Sequence, residues 1–262
     1  MLVATDLAFG YRHHAVGRDV TLAVEPGEVL CLLGPNGCGK TTLFKTLLGL
    51  IPAQSGRLEL DGRSVSSFGR EEFARRIAYV PQAGTTAFPF LVRDLVLMGR
   101  ASRIGTFAIP SAHDRAKAAE AMAMLGITHL ADRPFTMISG GERQMTLIAR
   151  ALAQEPAMIV LDEPTASLDF GNQARVLGRI NQLAESGLAI ILSTHDPSHA
   201  FACGDRVALM KGGRLVALGP PESVVTPDAL RDLYGVEVAV AWLDAAGRQV
   251  CVPSLDSRAN AS

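Results

Sequence analysis

Cysteine is scarce in this chain, which has 4 in 262 residues. Cys31, Cys38, Cys203 and Cys251 form no C-x-x-C pair and are widely spaced. A disulfide-stapled domain needs a denser framework than this. The cysteine usage therefore indicates a reducing, cytosolic compartment.

Long apolar runs and an excess of charge are also missing. No run approaches the roughly 18 apolar residues of a transmembrane helix, so we expect no membrane span in the chain. The first residues, MLVATDLAFGY, lack the basic and apolar regions of a secretory signal. The net charge is -1, and the strongest basic cluster, residues 70–76, also holds Glu71 and Glu72. This pattern does not indicate a nucleic-acid surface, so no nucleic-acid partner is expected.

The apolar residues that are present predict an α/β core. They make up 48% of the sequence, which is enough for a sizeable core. Residues 28–33, 157–161 and 188–192 are continuous apolar runs, typical of strands buried on both faces of a parallel sheet. Each run ends at a polar cluster: GPNGCGKTT, DEPTASLD and STHD. Ligands bind at the carboxyl ends of such strands, so the clusters predict one shared site.

Helical periodicity fills much of the remaining sequence. The clearest helices are predicted at residues 40–50, 113–125, 142–154 and 172–185. Residues 83–155 contain no convincing strand, so we predict a helical subdomain there, inserted into the sheet domain. Residues 236–243 and 248–253 predict a terminal hairpin across DAAG, and residues 254–262 a loose tail.

The first polar cluster matches the phosphate-loop pattern G-x-x-x-x-G-K-[ST] between a predicted strand and a predicted helix. Glycines let backbone N–H groups curl around phosphate oxygens, and the helix start adds positive potential. Lys40 should reach the β- and γ-phosphates and Thr41 should bind Mg²⁺, so Mg²⁺ is the predicted cofactor and ATP the substrate. A plain glycine-rich turn is the less favoured alternative. The predicted ATP-binding residues here are Gly34, Pro35, Asn36, Gly37, Cys38, Gly39, Lys40, Thr41 and Thr42.

The second cluster supplies two carboxylates at the end of a strand. Asp162 is placed to hold Mg²⁺ through water, since Mg²⁺ takes few protein carboxylates and keeps much of its hydration. Glu163 follows it and is placed to polarise an attacking water. Many strands end in Asp or Glu that only cap the next turn, so this pattern gains its meaning beside a phosphate loop.

A third segment, Ser139, Gly140, Gly141 and Glu142, precedes the second cluster. S-x-x-E is a helix capping box, and a helix N-terminus is also an anion site. Two consecutive glycines weaken a helix, so capping alone does not explain the segment. We interpret it as both a helix cap and a phosphate contact.

Six motifs in order resemble the nucleotide-binding subunits of ATP-binding-cassette (ABC) transporters: GPNGCGKTT, Gln82 in AYVPQ, ISGGERQ, IVLDEP, SLD and STHD. The resemblance covers residues 1–235 and implies one ATP-binding domain with ATPase activity. It implies an α/β P-loop NTPase fold with a mostly parallel sheet core, an N-terminal antiparallel β subdomain and the inserted α-helical subdomain. The SGGE segment departs from the commonest L-S-G-G-Q pattern at Ile138 and Glu142, which bears on fine tuning only.

The resemblance also implies roles for single residues. Tyr11 stacks on adenine, with an edge-strand aromatic as the alternative. Gln82 contacts Mg²⁺ or the attacking water and senses a membrane partner, with a solvated loop residue as the alternative. Asp169 crosses a dimer interface beside the opposite phosphate loop, although S-L-D also starts ordinary helices. His195 contacts the γ-phosphate, although lone histidines are more often structural. With Glu163 as the base, Gln82 and His195 complete the predicted catalytic set.

Two copies as a homodimer, or one copy with a close relative, are implied to sandwich two ATP molecules. Each γ-phosphate is then held by one chain's phosphate loop and by residues 139–142 of the other. The interval between Lys40 and Ser139 leaves no room for the long coiled coil of a DNA-repair ATPase. A soluble ATPase of iron–sulfur cluster assembly fits the chain length and stays open as an alternative.

Finer resemblance favours import of metal chelates. RRIAYVPQ, VRDLVLMGR and LRDLYGVEVAV are similar to ATPases of bacterial iron-siderophore, haem and cobalamin importers, and RASRIGTFAIPSAHD to molybdate-type members. This similarity implies two membrane-spanning permease subunits and, indirectly, an extracytoplasmic substrate-binding protein. It also implies a peripheral position on the cytoplasmic face of the bacterial inner membrane.

Replacing Lys40 with alanine tests the phosphate-loop assignment. We expect MgATP affinity to fall about tenfold or more, because a hydrogen bond to a charged group contributes about 1.5–3 kcal/mol. Titration calorimetry measures the loss, and Lys45→Ala, on the same predicted helix but outside the motif, is the control. Wild-type affinity in Lys40→Ala would contradict the assignment.

Overall fold

The computed structural model describes residues 1–12, 14–82, 88–104 and 108–254. Its strands are β1 (Leu2–Tyr11), β2 (His14–Val24), β3 (Val29–Leu33), β4 (Ser55–Leu60), β5 (Arg63–Ser64), β6 (Ile77–Val80), β7 (Met158–Leu161), β8 (Ala189–Thr194), β9 (Arg206–Lys211), β10 (Arg214–Gly219), β11 (Val238–Leu243) and β12 (Arg248–Pro253). Its α-helices are α1 (Lys40–Leu47), α2 (Arg70–Ala74), α3 (Val92–Leu97), α4 (Ala112–Met124), α5 (Gly140–Leu152), α6 (Phe170–Glu185), α7 (Pro197–Cys203), α8 (Pro221–Val224) and α9 (Pro227–Tyr234).

The central sheet has six strands in the order β10-β9-β3-β8-β7-β6. The neighbouring pairs from β9 to β6 are parallel, and β10 joins β9 in antiparallel fashion. Every residue of β3, β7 and β8 is buried, as the continuous apolar runs predicted. The three strand predictions are confirmed, although each strand begins one residue later than predicted and β8 continues to Thr194.

A second sheet at the N-terminus is antiparallel, with the order β2-β1-β4-β5, as the family resemblance implied. Leu7 and Phe9 of β1 are fully buried, and with Leu43 and Phe44 of α1 they belong to a hydrophobic core shared with the central sheet. The β1–β2 hairpin also reaches the phosphate loop, because a Cβ at Gly39 would lie 3.0 Å from Val16 Cγ1. This sheet therefore lies against the phosphate loop and forms one side of the predicted site.

Helices α3, α4 and α5 pack on one another, and α5 also contacts β6 and α6. Residues 88–104 and 108–155 contain no strand beyond a single bridge between Leu91 and Pro134, which agrees with the sequence prediction. Residues 83–87 lie outside the described part of the chain. The subdomain limits of 83–155 stay a prediction.

Helix ends differ from the predicted ones for identifiable reasons. Helices α4 and α5 begin earlier than predicted because Ser111 and Ser139 cap them, each in a full capping box. Helix α6 begins at Phe170 because the Asp169 carboxylate accepts from Asn172 N–H. Helix α1 ends at Leu47 instead of residue 50, and Gly49 has a left-handed φ of 64°. None of the helices in the described ranges combines the length and hydropathy needed to cross a bilayer.

The predicted C-terminal hairpin is present, since β11 and β12 pair along their whole length. A 3-10 turn at Asp244–Ala246 connects them, followed by Gly247 with a left-handed φ of 60°. Strand β12 packs on α7, and β11 packs on α9. The tail predicted to be loose lies outside the described residues from position 255 onward. The hairpin thus covers the helix that follows β8.

A buried arginine ties the helical layer together. Arg100 is 3% exposed, its Nε donates to Asp114 Oδ1 at 3.0 Å, and its Nη1 donates to Glu155 Oε2 at 2.7 Å. The same Nη1 donates to the Ala153 carbonyl at 2.8 Å. The Ser111 hydroxyl and Arg100 hold the pKa of Asp114 down at about 2. These contacts join the start of α4 to the end of α5.

Replacing Arg100 with methionine should destabilise the protein by about 3 kcal/mol. This loss of stability is at the low end of the range for removing one partner of a buried ion pair. The low end applies because the Glu155 side chain left behind is 38% exposed and can be solvated by water. Arg115→Met, on the exposed side of α4, should change the free energy of unfolding by no more than about 0.5 kcal/mol. Urea unfolding measures both, and equal effects would contradict this role of Arg100.

Candidate nucleotide-binding and hydrolysis site

The phosphate loop connects β3 to α1, and its glycines have conformations that other residues rarely adopt. Gly37 and Gly39 have φ values of 80° and 108°. A Cβ at Gly34 would lie 2.4 Å from the Met210 carbonyl oxygen of the neighbouring strand. The loop therefore depends on glycine both for its turn and for its close approach to β9.

Lys40, the first residue of α1, is buried beneath this loop. Its Nζ donates to the Gly34 carbonyl at 2.7 Å and to the Pro35 carbonyl at 3.2 Å. The same Nζ lies 3.5 Å from Glu163 Oε1, at the end of β7. The ammonium thus lies between the loop backbone and Glu163, next to the place where a phosphate would bind.

Glu163 is the group on which several predicted site residues converge. Its Oε2 lies 3.5 Å from His195 Nδ1 and accepts from Gln82 Nε2 at 3.4 Å, while its Oε1 faces Lys40. Its backbone is left-handed, with a φ of 48°, which is strained for a residue with a Cβ. Backbone strain of this kind clusters at functional sites. The turn after β7 therefore directs one carboxylate toward side chains from three other segments.

Asp162 is buried beside Glu163, and two hydroxyl donors fix its carboxylate. Ser193 Oγ donates to Oδ1 at 2.6 Å, and the Tyr79 hydroxyl donates to Oδ2 at 3.3 Å. Ser193 Oγ also accepts from Glu163 N–H at 2.9 Å, so one hydroxyl orients both acidic residues. The motif reasoning missed Ser193 and Tyr79, although they stand in the STHD and AYVPQ segments that it singled out.

The oxygen donors around this turn suit Mg²⁺. Thr41 supplies a hydroxyl, Asp162 a carboxylate and Gln82 an amide oxygen, and Mg²⁺ prefers oxygen ligands. In the described ranges no group of three or more His, Cys, Asp and Glu side chains forms a metal site. Mg²⁺ needs no such cluster, because it typically combines one or two carboxylates with substrate phosphates and water.

A cavity of about 500 Å³ opens beside the loop, and eight of the predicted site residues line it. Its lining comprises His14, Val16, Asn36, Gly37, Gly39, Lys40, Thr41, Thr42, Gln82 and Glu163. The sequence reasoning missed His14 and Val16, which reach the cavity because the β1–β2 hairpin folds against the loop. Tyr11 ends β1 on the exposed surface and is not part of this lining. The side chain of Cys38, a residue of the loop, is buried and does not line the cavity, and burial raises the pKa of its thiol.

The SGGE segment forms a separate cluster in the same chain, away from this cavity. Ser139 caps α5, with Glu142 N–H donating to its Oγ at 3.3 Å and its own N–H donating to Glu142 Oε2 at 2.7 Å. Those bonds lower the pKa of Glu142. A Cβ at Gly141 would lie 2.3 Å from Asn172 Oδ1, so this glycine lets α5 begin beside the start of α6 at Asp169. Ser139 is exposed at the surface.

His195 sits in the turn between β8 and α7, with 52% of its side chain exposed. The turn is fixed from inside by Thr194, whose hydroxyl lies 2.9 Å from His199 Nδ1 and accepts from Asp196 N–H at 3.0 Å. The Asp196 carboxylate caps α7 through Ser198 N–H. The imidazole of His195 is thereby presented at the surface beside Glu163.

The buried imidazole of His199 should make stability depend on pH. Burial lowers the pKa of His199, so the unfolded chain takes up a proton at a higher pH than the folded protein. The stability that the neutral, buried His199 contributes is fully present above the pKa of the unfolded chain, about 6.5. It decreases as the pH falls from there toward the lower pKa of the folded protein. Unfolding curves between pH 7 and pH 5 should show a smaller loss for His199→Asn than for the wild type. Parallel losses would contradict this assignment.

Comparison with known proteins places this geometry in a family. The family model described as ABC transporter matches residues 18–166. The hemin import ATP-binding protein HmuV of Nocardia farcinica is 43% identical over 235 residues, which cover 89% of this chain and 81% of that protein. The ferric enterobactin transport ATP-binding protein FepC of Escherichia coli is 35% identical over 248 residues, which cover 94% of this chain and 92% of that protein. A solved structure of an inward-facing putative metal-chelate type ABC transporter superposes with a TM-score of 0.85. Its sequence is 34% identical, and the match covers 97% of this chain and 96% of that chain. The chain belongs to the ABC transporter family of ATP-hydrolysing, ATP-binding subunits.

Proposed function

We propose that this chain energises the import of a metal chelate through a membrane permease and that it works as an ATP-sandwich homodimer. A ferric siderophore, haem, cobalamin or a molybdate-like anion is the proposed cargo class. The observation that carries the hydrolytic part is the convergence of Lys40, Gln82 and His195 on the Glu163 carboxylate. The import part is supported by relatives named for hemin and ferric enterobactin transport.

The chemistry follows from the placement of these groups. The glycine loop and Lys40 would bind the β- and γ-phosphates. Thr41, Asp162 and Gln82 would hold Mg²⁺, which would neutralise charge on the phosphates. Glu163 accepts a proton from water as the water oxygen attacks the γ-phosphorus and the bond to the bridging β–γ oxygen breaks. His195 stabilises the γ-phosphoryl oxygens by hydrogen bonding. Catalysis is then mainly positioning and charge stabilisation.

The dimer is proposed because the two phosphate-binding elements lie apart in one chain. The loop opens to the cavity with Lys40 and Glu163, whereas the N-terminus of α5 at Ser139 is exposed elsewhere. A second copy related by a two-fold axis would bring Ser139 onto the γ-phosphate held by the first, and Asp169 beside the opposite loop. Each site would then be complete only in the pair.

An apolar groove of about 680 Å³ supports the permease contact. Leu48 and Leu50 after α1 line it, with Phe68, Phe73 and Tyr79. Strand β6, which carries Tyr79, leads directly to Gln82. We propose that the groove of each chain receives one short helix from one permease subunit. This contact would place the chain on the cytoplasmic face of the cell membrane. An extracytoplasmic binding protein would deliver the cargo to the permease.

The cargo assignment is tested by co-expression with a candidate permease in a strain that lacks its own importer. Uptake of radiolabelled ferric siderophore, haem or cobalamin should require both the permease and an intact Lys40. The iron–sulfur assembly alternative, which the relatives do not favour, predicts no permease-dependent membrane recovery. Failure of every chelate with an active, membrane-recovered complex would contradict the import proposal.

Glu163→Gln should leave MgATP binding intact and abolish turnover, because the amide cannot accept the proton of the attacking water. ATP should then trap a dimer, visible by light scattering, whereas Lys40→Ala should stay monomeric under the same conditions. We expect kcat to fall at least about 100-fold, in the range typical for loss of a general base. Normal turnover in Glu163→Gln would refute its role.

A further inference from the structure

The C-terminal segment contacts the catalytic turn through one phenol. Tyr234, the last residue of α9, donates its hydroxyl to the backbone carbonyl of His195 at 2.9 Å. The ring is partly buried against the main hydrophobic core. The contact joins residues 39 positions apart, and it holds the peptide group of the histidine that faces Glu163.

The rest of the turn is fixed by bonds that include the N–H side of the peptide group between His195 and Asp196. Thr194, Asp196 and His199 bond to one another on the buried side, as described above. Their bonds set the path of the chain into α7. That peptide group therefore has two anchors: its N–H, from Asp196, donates to Thr194 Oγ1, and its carbonyl, from His195, accepts from Tyr234. The phenol supplies the second anchor, which limits the tilt of the group and with it the direction of the His195 side chain.

Helix α9 is itself anchored independently of that phenol. Leu230 and Leu233 are buried in the core. Lys211 Nζ, from β9, donates to the Asp232 carbonyl at 2.8 Å and to its carboxylate at 2.6 Å. Gly235 then ends the helix with a left-handed φ of 72°. The hydroxyl of Tyr234 is therefore held in place by a docked helix, which makes it suitable as a fixed reference for the turn.

We propose that Tyr234 is a positioning residue for His195, so that helix α9 takes part in ATP hydrolysis. The inference rests on the proposed contact between His195 and the γ-phosphate. Without the phenol this peptide group is held only at its N–H, by Thr194, so it can tilt further and the imidazole spends less time in reach of the phosphoryl group. Small displacements of this kind lower kcat more than affinity, since the glycine loop and Lys40 still bind the nucleotide.

Tyr234→Phe in the full chain removes the hydroxyl and keeps the ring. We expect unchanged MgATP affinity and a fall in kcat of roughly tenfold, less than the roughly 100-fold that a 1 Å misplacement can cost. Lys211→Met is the control for stability: it removes one contact of α9, while the buried Leu230 and Leu233 keep the helix and its phenol in place, so kcat should stay unchanged. The thermal midpoint of Tyr234→Phe should fall no further than that of Lys211→Met.

A double-mutant cycle separates positioning from plain stabilisation. His195→Ala alone should lose most activity, and adding Tyr234→Phe to it should change nothing further. An equal additional loss in the His195→Ala background, or full kcat in Tyr234→Phe, would overturn the positioning role while leaving the proposed function intact. Full activity of His195→Ala would instead remove the role of His195 itself, and this proposal with it.

Discussion

The site depends on the position of one carboxylate, which is held by a positively charged side chain and by side-chain nitrogen atoms of two other residues. Glu163 faces the Lys40 ammonium on one oxygen and the His195 and Gln82 nitrogens on the other. The backbone accepts a strained left-handed φ to direct it there, and Ser193 anchors its N–H. Because those partners come from three other segments, the strand order of the parallel sheet must be correct before the site exists.

The sheet provides that order physically. Strands β3, β7 and β8 are neighbours, so their carboxyl ends deliver the phosphate loop, the two acids and the histidine turn to one edge. Burial of every residue in these strands fixes them in the core and leaves their ends to carry the chemistry. The helical layer, tied by Arg100, presents Ser139 at a different surface, which is why we propose that a pair of chains brings both elements to one phosphate.

Much of this site could be predicted from sequence because its signals are local. The loop glycines, Asp162, Glu163 and the Ser139 cap each belong to a short motif whose geometry follows from neighbouring residues. His14, Val16 and Tyr234 could not be predicted in that way. Their contacts depend on how the N-terminal hairpin and α9 fold back on the central sheet, and no periodicity encodes such long-range packing. Helix ends were misjudged for a simpler reason, since periodicity locates a helix while caps such as Ser111 set its first residue.

A structure of the full chain with Mg²⁺ and a non-hydrolysable ATP analogue most directly tests whether two chains complete one phosphate site. The γ-phosphate should lie within hydrogen-bond distance of Lys40 from one copy and of Ser139 from a second copy, with a two-fold axis between them. A nucleotide held by a single copy, with Ser139 facing solvent in every complex that forms, would contradict it.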